Sequence, residues 1–355
     1  MKMQNIRQPF TRTCLLALAA IMLTITAASC RKMLYEYEGD CDPRYRVHFR
    51  YTRNILNTDA FGSQVSRVSL YLFDKQGNLV YRTTRQRALT ADNDFYIEVD
   101  VEPGVYDMLV WCEGEPLTGD PVSFLIGGGE NPASIDELSA TLPLEGREPQ
   151  LYSGRDITRL YHGIATGVEF PDTFGDIDIA PIDLTRDTNH LTLQILNTDG
   201  TTIDPSNLSV ELEAENSCLN YLNLPVGERK FVYTPWSQKP VNADIADESG
   251  RAGAGNGVQF EITTGRLIAD MPQRLTIRRV DTGGTVIEIP LIEYLLLVRS
   301  EYEVATSNQD YLDRYDDYSM VFFMQGGYNW IKSRILINGW RRVPPQDDIQ
   351  LTQLR

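Results

Sequence analysis

The acids are the first residues to test for chemistry. In Val68–Val80, VSLYLFDKQGNLV, an apolar run ends at Phe73-Asp74 and a glycine follows at position 77. A strand ending in an aspartate is how an aspartyl-phosphate nucleophile is presented. That chemistry also needs a second acid two residues on, to protonate the leaving group, and a threonine four residues on. Here those positions hold Gln76 and Asn78, so the general acid is missing. A calcium loop of alternating aspartates fails at the same positions. What survives is a hairpin: strand 67–73, a turn through Asp74–Asn78, strand 79–84. Asp caps nearby backbone N–H groups, and Gly supplies a positive φ.

Other constellations fare no better. No Gly-x-Ser-x-Gly elbow presents a serine nucleophile. The three histidines, His48, His162 and His190, have no metal-ligand spacing. His48 falls on the polar face of an arginine-rich strand and reads as a solvated side chain. Gly127-Gly128-Gly129 lacks the residues of a phosphate loop and reads as a flexible turn. Two acidic clusters, Asp172/Asp176/Asp178/Asp183 and Asp310/Asp313/Asp316/Asp317, lack the spacing of an EF-hand. Carboxylate pairs for glycoside hydrolysis meet in space and leave no trace in spacing. The residues predict no catalytic site, no metal and no cofactor.

The elements that position these residues are strands. Tyr45, Val47, Phe49 and Tyr51 alternate with Arg46, His48 and Arg50. Val68/Leu70/Leu72, Phe95/Ile97/Val99/Val101 and, after Pro103-Gly104, Val105/Asp107/Leu109/Trp111 do the same. Successive strand side chains point to opposite faces, so the pattern predicts half-buried strands joined by tight turns. One apolar face per sheet needs a second sheet to cover it, which implies sandwiches. Ser134-Ile-Asp-Glu137 reads as a capping box for one short helix reaching about Leu142. Residues 171–181, acidic and broken by Gly and Pro, read as the approach to a domain junction. Alternation resumes at Leu191/Leu193/Ile195 and Leu208/Val210/Leu212. Residues 243–257 read as a long mobile loop. Strands return at Val258/Phe260/Ile262, Leu275/Ile277 and Ile287/Ile289, with Asp281–Gly284 turning the last hairpin. Two final strands cover 320–324 and 334–338. The chain is therefore expected to be all-β, with domains at 42–183 and 184–343, a tether at 30–41 and a tail at 344–355.

The N-terminus addresses the chain for export. Lys2, Arg7 and Arg12 precede an apolar stretch from Leu15 to Ile25, too short to span a bilayer comfortably. Thr-Ala-Ala-Ser-Cys follows, so residues 1–29 read as a signal peptide and Cys30 as the lipidated residue of a lipoprotein. Ala27 stands where such boxes usually carry leucine, and an ordinary signal cut near Ser29 is the alternative. Removing 1–29 deletes three bases and no acids, taking the net charge from −16 to −19. Such a surface repels nucleic acid and anionic headgroups, so a lipid would have to hold the protein at a membrane. Three cysteines then remain, Cys41, Cys112 and Cys218. Export permits oxidation. Cys41 and Cys112 are the candidate disulfide, and three unpaired thiols are the alternative.

The order of these features resembles the FimB-type fimbrial anchor and minor-subunit lipoproteins of type V pili. Its carriers are the lipobox Cys30, Cys41-Asp42 opening a strand, Leu70–Val80, and Pro103-Gly104-x-Tyr106 leading to Trp111. Tyr311-Leu-Asp-Arg314, Phe322-Phe323, Trp330 and Ile337-Asn-Gly-Trp340 close the pattern. The segment after Cys30, Arg-Lys-Met-Leu-Tyr-Glu, departs from it in lacking an acidic run beside the lipid. The resemblance implies two tandem transthyretin-like β-sandwich domains with few short helices, and no catalytic residues. It implies a non-enzymatic pilus subunit at the outer membrane, held by its lipid, surface-exposed, with pilins of the same fimbria as partners. Such pili assemble when an extended strand from one subunit completes a sheet in the next. After Pro344-Pro345, Ile349 and Leu351 share one face of a candidate donor strand; a solvated tail is the alternative. Arg44, Arg46, Arg50 and Arg53 crowd the first strand, where stalk pilins of this type are cut, so a matured tip or accessory subunit is a second expectation. A surface adhesin or glycan-binding module is the reading from another class.

Overall fold

The computed structural model describes residues 43–129, 131–246, 252–297, 299, 307–337 and 340–342. Cys30, Cys41, Ile349 and Leu351 lie outside the described residues. Two units separate by contact density: Met1–Arg44 with Thr173–Ile177, and Tyr45–Asp172 with Asp178–Arg355. The second holds everything below except where stated.

The chain is mostly strand. Its first part runs β1 (Pro43–Arg50), a one-turn helix α1 (Phe61–Gln64), β2 (Val65–Phe73), β3 (Leu79–Gln86), β4 (Tyr96–Val99), β5 (Gly104–Gly114), β6 (Leu125–Ile126), β7 (Ser139–Thr141), β8 (Glu145–Arg147), β9 (Gln150–Ser153), β10 (Leu160–Phe170), β11 (Gly175–Asp183) and β12 (Thr185–Arg186). The second part runs β13 (Thr188–Asn197), β14 (Leu208–Ala214), β15 (Cys218–Asn220), β16 (Phe231–Tyr233), β17 (Ser237–Ala246), β18 (Ala252–Gly265), β19 (Arg274–Arg279), β20 (Thr285–Pro290), helices α2 (Leu291–Leu296) and α3 (Asn308–Arg314), then β21 (Asp317–Gln325), β22 (Asn329–Ile337) and β23 (Trp340–Arg342). No helix among the described residues is long and apolar enough to cross a membrane.

A three-stranded sheet, β11-β1-β4, faces a five-stranded one, β12-β10-β5-β2-β3. Aromatic rings join the two. Phe170 of β10 meets Tyr45 of β1 edge-on at 4.8 Å, and Tyr51 meets Tyr161 at 5.1 Å. As expected from the alternation, Tyr45, Val47 and Phe49 are fully buried. The middle of the five-stranded sheet departs from the half-buried expectation. Leu70 to Phe73 and Met108 to Cys112 are buried without alternation. The sheet is a middle layer. Its other face, Tyr71, Phe73, Leu109 and Trp111, joins a core with Phe124, Leu138, Leu142 and Ile157 that continues into the second part of the chain. A strand covered on both faces gains nothing from polar alternation.

Two six-stranded sheets, β17-β18-β13-β21-β22-β23 and β20-β19-β14-β16-β9-β8, build the second sandwich. Its core takes Leu191, Leu193 and Ile195 from one side and Val210, Leu212 and Ile277 from the other. β8 and β9 precede residue 183 yet belong here: β9 runs parallel to β16, with Tyr152 opposite Val232. A third sheet, β15-β7-β6, likewise joins strands from both sides of the expected 183/184 boundary. Strands of two to four residues bury too little to be stable by themselves, and they pair wherever an open edge lies nearby.

Three local expectations are corrected. The helix expected over 134–142 is a single 3₁₀ turn, Ile135–Glu137, followed by β7. Half of its capping box forms, one residue early: Glu137 accepts from the Ala133 amide at 2.9 Å, while the Ser134 side chain caps nothing. Of the loop expected at 243–257, residues 243–246 and 252–257 are instead strand in β17 and β18, paired from Ala243↔Gly255 to Ala246↔Ala252. Backbone hydrogen bonds carry that ladder, so small residues do not prevent it. Residues 175–181, expected as a junction, belong to β11.

Candidate functional site

Each side chain with catalytic potential can be followed to its partners. Asp74 closes the turn between β2 and β3. Its carboxylate accepts from the amides of Gln76 (2.9 Å) and Asn78 (2.8 Å) and from the Asn78 side chain, and its own amide donates to Asn78 O. Hydrogen bonds from Asn78, then from Gln76 and Gly77, hold its carboxyl below the usual range. Gly77 takes φ +83°, where a side chain would be strained. The geometry is that of the turn expected from the sequence.

The first acidic cluster is matched by the basic face of β1. In the smaller unit Arg44 pairs with Asp176 at 3.0 Å. In the larger one His48 lies 2.9 Å from Asp178, and Arg50 grips Asp183 through two nitrogens at 2.7 and 3.0 Å. His48 is therefore partnered, not merely solvated. These are cross-strand pairs on a sheet surface, each contributing at most about 1 kcal/mol.

The second cluster surrounds α3. Ser307 caps the helix by accepting from the Asp310 amide at 3.0 Å. Arg314 reaches back to Asp310 (2.9 Å) and across to Asn57 (2.6 Å). Asp313 is almost fully buried and receives Arg266 in a fork, at 2.9 and 2.8 Å, with Gln309 at 2.8 Å. Arg53 joins Asp313 from the end of β1 at 3.4 Å. The Tyr311-Leu-Asp-Arg314 motif thus ties α3 to both parts of the chain.

Arg266 also lies 3.9 Å from Asp187, which is fully buried and accepts from Asn223 at 2.7 Å. Burial pushes the Asp187 carboxyl up to about 7, against the pull of Arg266 and Asn223. Sequence reasoning missed this network. Asp187, Asn223, Arg266 and Asp313 are scattered along the chain, and no spacing links them.

The remaining two histidines differ in charge. His162 is buried against Trp111 and donates to the Tyr221 carbonyl; burial pushes it down to about 4. Burial also opposes charge on His190. Its hydrogen bonds to Asp317 (3.3 Å) and Glu261 (2.7 Å) outweigh that and lift it to about 9. Glu261 is correspondingly held down to about 2: burial raises it, but His190, Gln259 and Lys239 together win. Among the described residues no three His, Cys, Asp or Glu side chains are arranged to hold a metal. Gly127–Gly129 is a turn pinned by the Gly127 amide on Ser139 O. Cys112 is a free, buried thiol in β5, and burial raises its pKa well above the ordinary value.

The profile of the fimbrillin-A associated anchor proteins Mfa1 and Mfa2 matches residues 37–343. Solved structures share the fold. A candidate adhesin of Bacteroides thetaiotaomicron superposes with TM-score 0.70 at 24% identity, over 87% of this chain and 100% of that one. A candidate polysaccharide-binding protein of the same organism gives 0.67 at 24%, over 86% and 99%. The fimbrial anchor protein Mfa2 of Porphyromonas gingivalis gives 0.57 at 17%, over 85% and 99%. No curated protein matches the chain. With the profile covering most of its length, the chain belongs to the family of fimbrillin-A associated anchor proteins and is a fimbrial subunit.

Proposed function

We propose that this subunit is the lipid-anchored end of its fimbria. In this reading Cys30 carries the lipid in the outer membrane, and a pilin of the same fimbria joins by β-strand addition. Residues 42–343 serve as a non-enzymatic link between membrane and shaft. The observation that supports retention of the N-terminus is the place of β1. It is the middle strand of its sheet, paired on both sides, with Tyr45, Val47 and Phe49 buried. Cutting after Arg46 or Arg50 would sever a central strand. Each buried side chain freed would cost about 2 kcal/mol. An exposed first strand would carry no such cost, and maturation into a tip or accessory subunit would then be the favoured reading.

The test is intact-mass measurement on protein extracted from outer membranes, with co-purification of detached fimbriae. A lipid-modified Cys30 and recovery with the fimbriae are expected. An unlipidated N-terminus between residues 45 and 54 would replace the anchor by a matured subunit.

A further inference from the structure

A cavity of 460 Å³ opens beside the junction of β12, β13 and β21. Its polar lining includes Gln64, Arg159, Arg186, His190, Asp316 and Asp317. Two of the three cations are already matched. Arg186 pairs with Asp316, and His190 lies between Asp317 and Glu261. Arg159 is not matched. Its side chain makes no hydrogen bond or ion pair among the described residues, and its Nε is buried without an acceptor. A guanidinium carries five donors in a planar fork that fits a carboxylate. Leaving the buried Nε unmet is costly. Nearby, Gln64 accepts from the Tyr161 hydroxyl at 3.0 Å, and its amide nitrogen meets no acceptor among the described residues. The wall is completed by Leu117 and Leu56, which are 45% and 73% exposed.

We propose that this cavity binds a hexuronic acid, either as a free sugar or as a residue of an acidic glycan. The sugar's carboxylate would take the Arg159 fork and the Gln64 amide. Its hydroxyls would donate to Asp316 and Asp317, whose second lone pairs remain available beside their ion pairs. The apolar face of the ring would lie on Leu117. Plain carboxylates lack the hydroxyls and neutral sugars lack the charge, so neither satisfies both sets of groups. The size suits one or two sugar rings. The site is independent of the anchor reading, since a tip subunit would carry it equally.

The experiment is calorimetric titration of the full-length protein in detergent with sodium glucuronate, glucose and sodium acetate. Saturable glucuronate binding is expected, with glucose and acetate at least about tenfold weaker. Arg159→Gln should weaken glucuronate at least about tenfold at an unchanged melting temperature. Leu117→Asp, on an exposed wall position that the fold does not need, should weaken it too. Equal binding of glucose or acetate, undiminished binding by both variants, or no saturation at tens of millimolar (about a hundredfold above the expected Kd range) would each overturn the assignment. An oligoglucuronate run in parallel separates the sources: tighter binding than the monomer points to a glycan, equal binding to the free sugar.

Discussion

At the scale of single residues, the charges that look catalytic are used for architecture, and two of them set a pH response. His190 has a folded pKa of about 9, above its unfolded value near 6.5. Its contribution is complete below pH 6.5 and disappears as pH rises toward 9. Glu261, held to about 2, contributes above its unfolded value near 4.5 and loses that contribution as pH falls toward 2. The pair is fully effective between those limits. The stability gap between wild type and His190→Gln should therefore be largest near pH 5.5. It should shrink by up to about 3 kcal/mol by pH 9.5, read from urea unfolding across pH. A gap that does not change with pH would remove the ion pair from the account. Gly77 offers a simpler test. A Cβ there meets nothing within 4 Å, so Gly77→Ala pays only for the positive φ. A loss of about 1 kcal/mol in the same assay is expected. Cys112 should resist thiol alkylation in the native protein and react on unfolding, since its thiol is buried and its pKa is raised.

At the scale of elements, α3 and β1 are the pieces whose docking matters most. Arg266 separates two buried carboxylates, Asp187 and Asp313. Arg266→Gln leaves Asp187 without a counter-charge and Asp313 with only Arg53, at 3.4 Å. Removing one partner of a buried pair costs about 3–5 kcal/mol, so a marked drop in melting temperature is expected. Arg266→Met combined with Asp313→Leu should recover much of it, because the Asp313 charge has gone and Asp187, its carboxyl already raised to about 7, can take up a proton. Failure of the double variant to recover would mean that the fork holds α3 for reasons beyond charge. β1 gives the matching kinetic test. Its arginines lie in a paired central strand, so limited trypsin digestion should spare the bonds after Arg46 and Arg50 while exposed turns are cut. Early cleavage at those two sites would show that β1 opens locally.

At the scale of the whole molecule, the order of weak motifs carried more than any single one. Tyr311–Arg314, with no chemistry of its own, marks the helix that Arg53, Arg266 and Asn57 hold in place. On the proposed anchoring, a net charge of −16 works against attraction to anionic headgroups. Cys30→Ala should therefore release the protein from membranes outright, whereas high salt should release none of the wild type. Fractionation and immunoblotting would read both.

The sequence by itself determined the class of fold, the strands and the turn at Asp74. Period-two alternation and Asp/Gly turn chemistry are local, and local rules act the same in any context. The alternation of β1 and β13 and the Asp281–Gly284 turn were legible for that reason. Tertiary structure alone decided what depends on distant neighbours. Leu70–Phe73 and Met108–Cys112 are buried on both faces because a second layer covers the sheet. Residues 139–153 join the second sandwich because its edges are open to them. Residues 243–246 and 252–257 lie in a ladder because each strand has the other to bond. The same holds for charge. Sequence lists acids and bases, but only the fold decides that Arg266 lies between two buried aspartates while Arg159 is left without one.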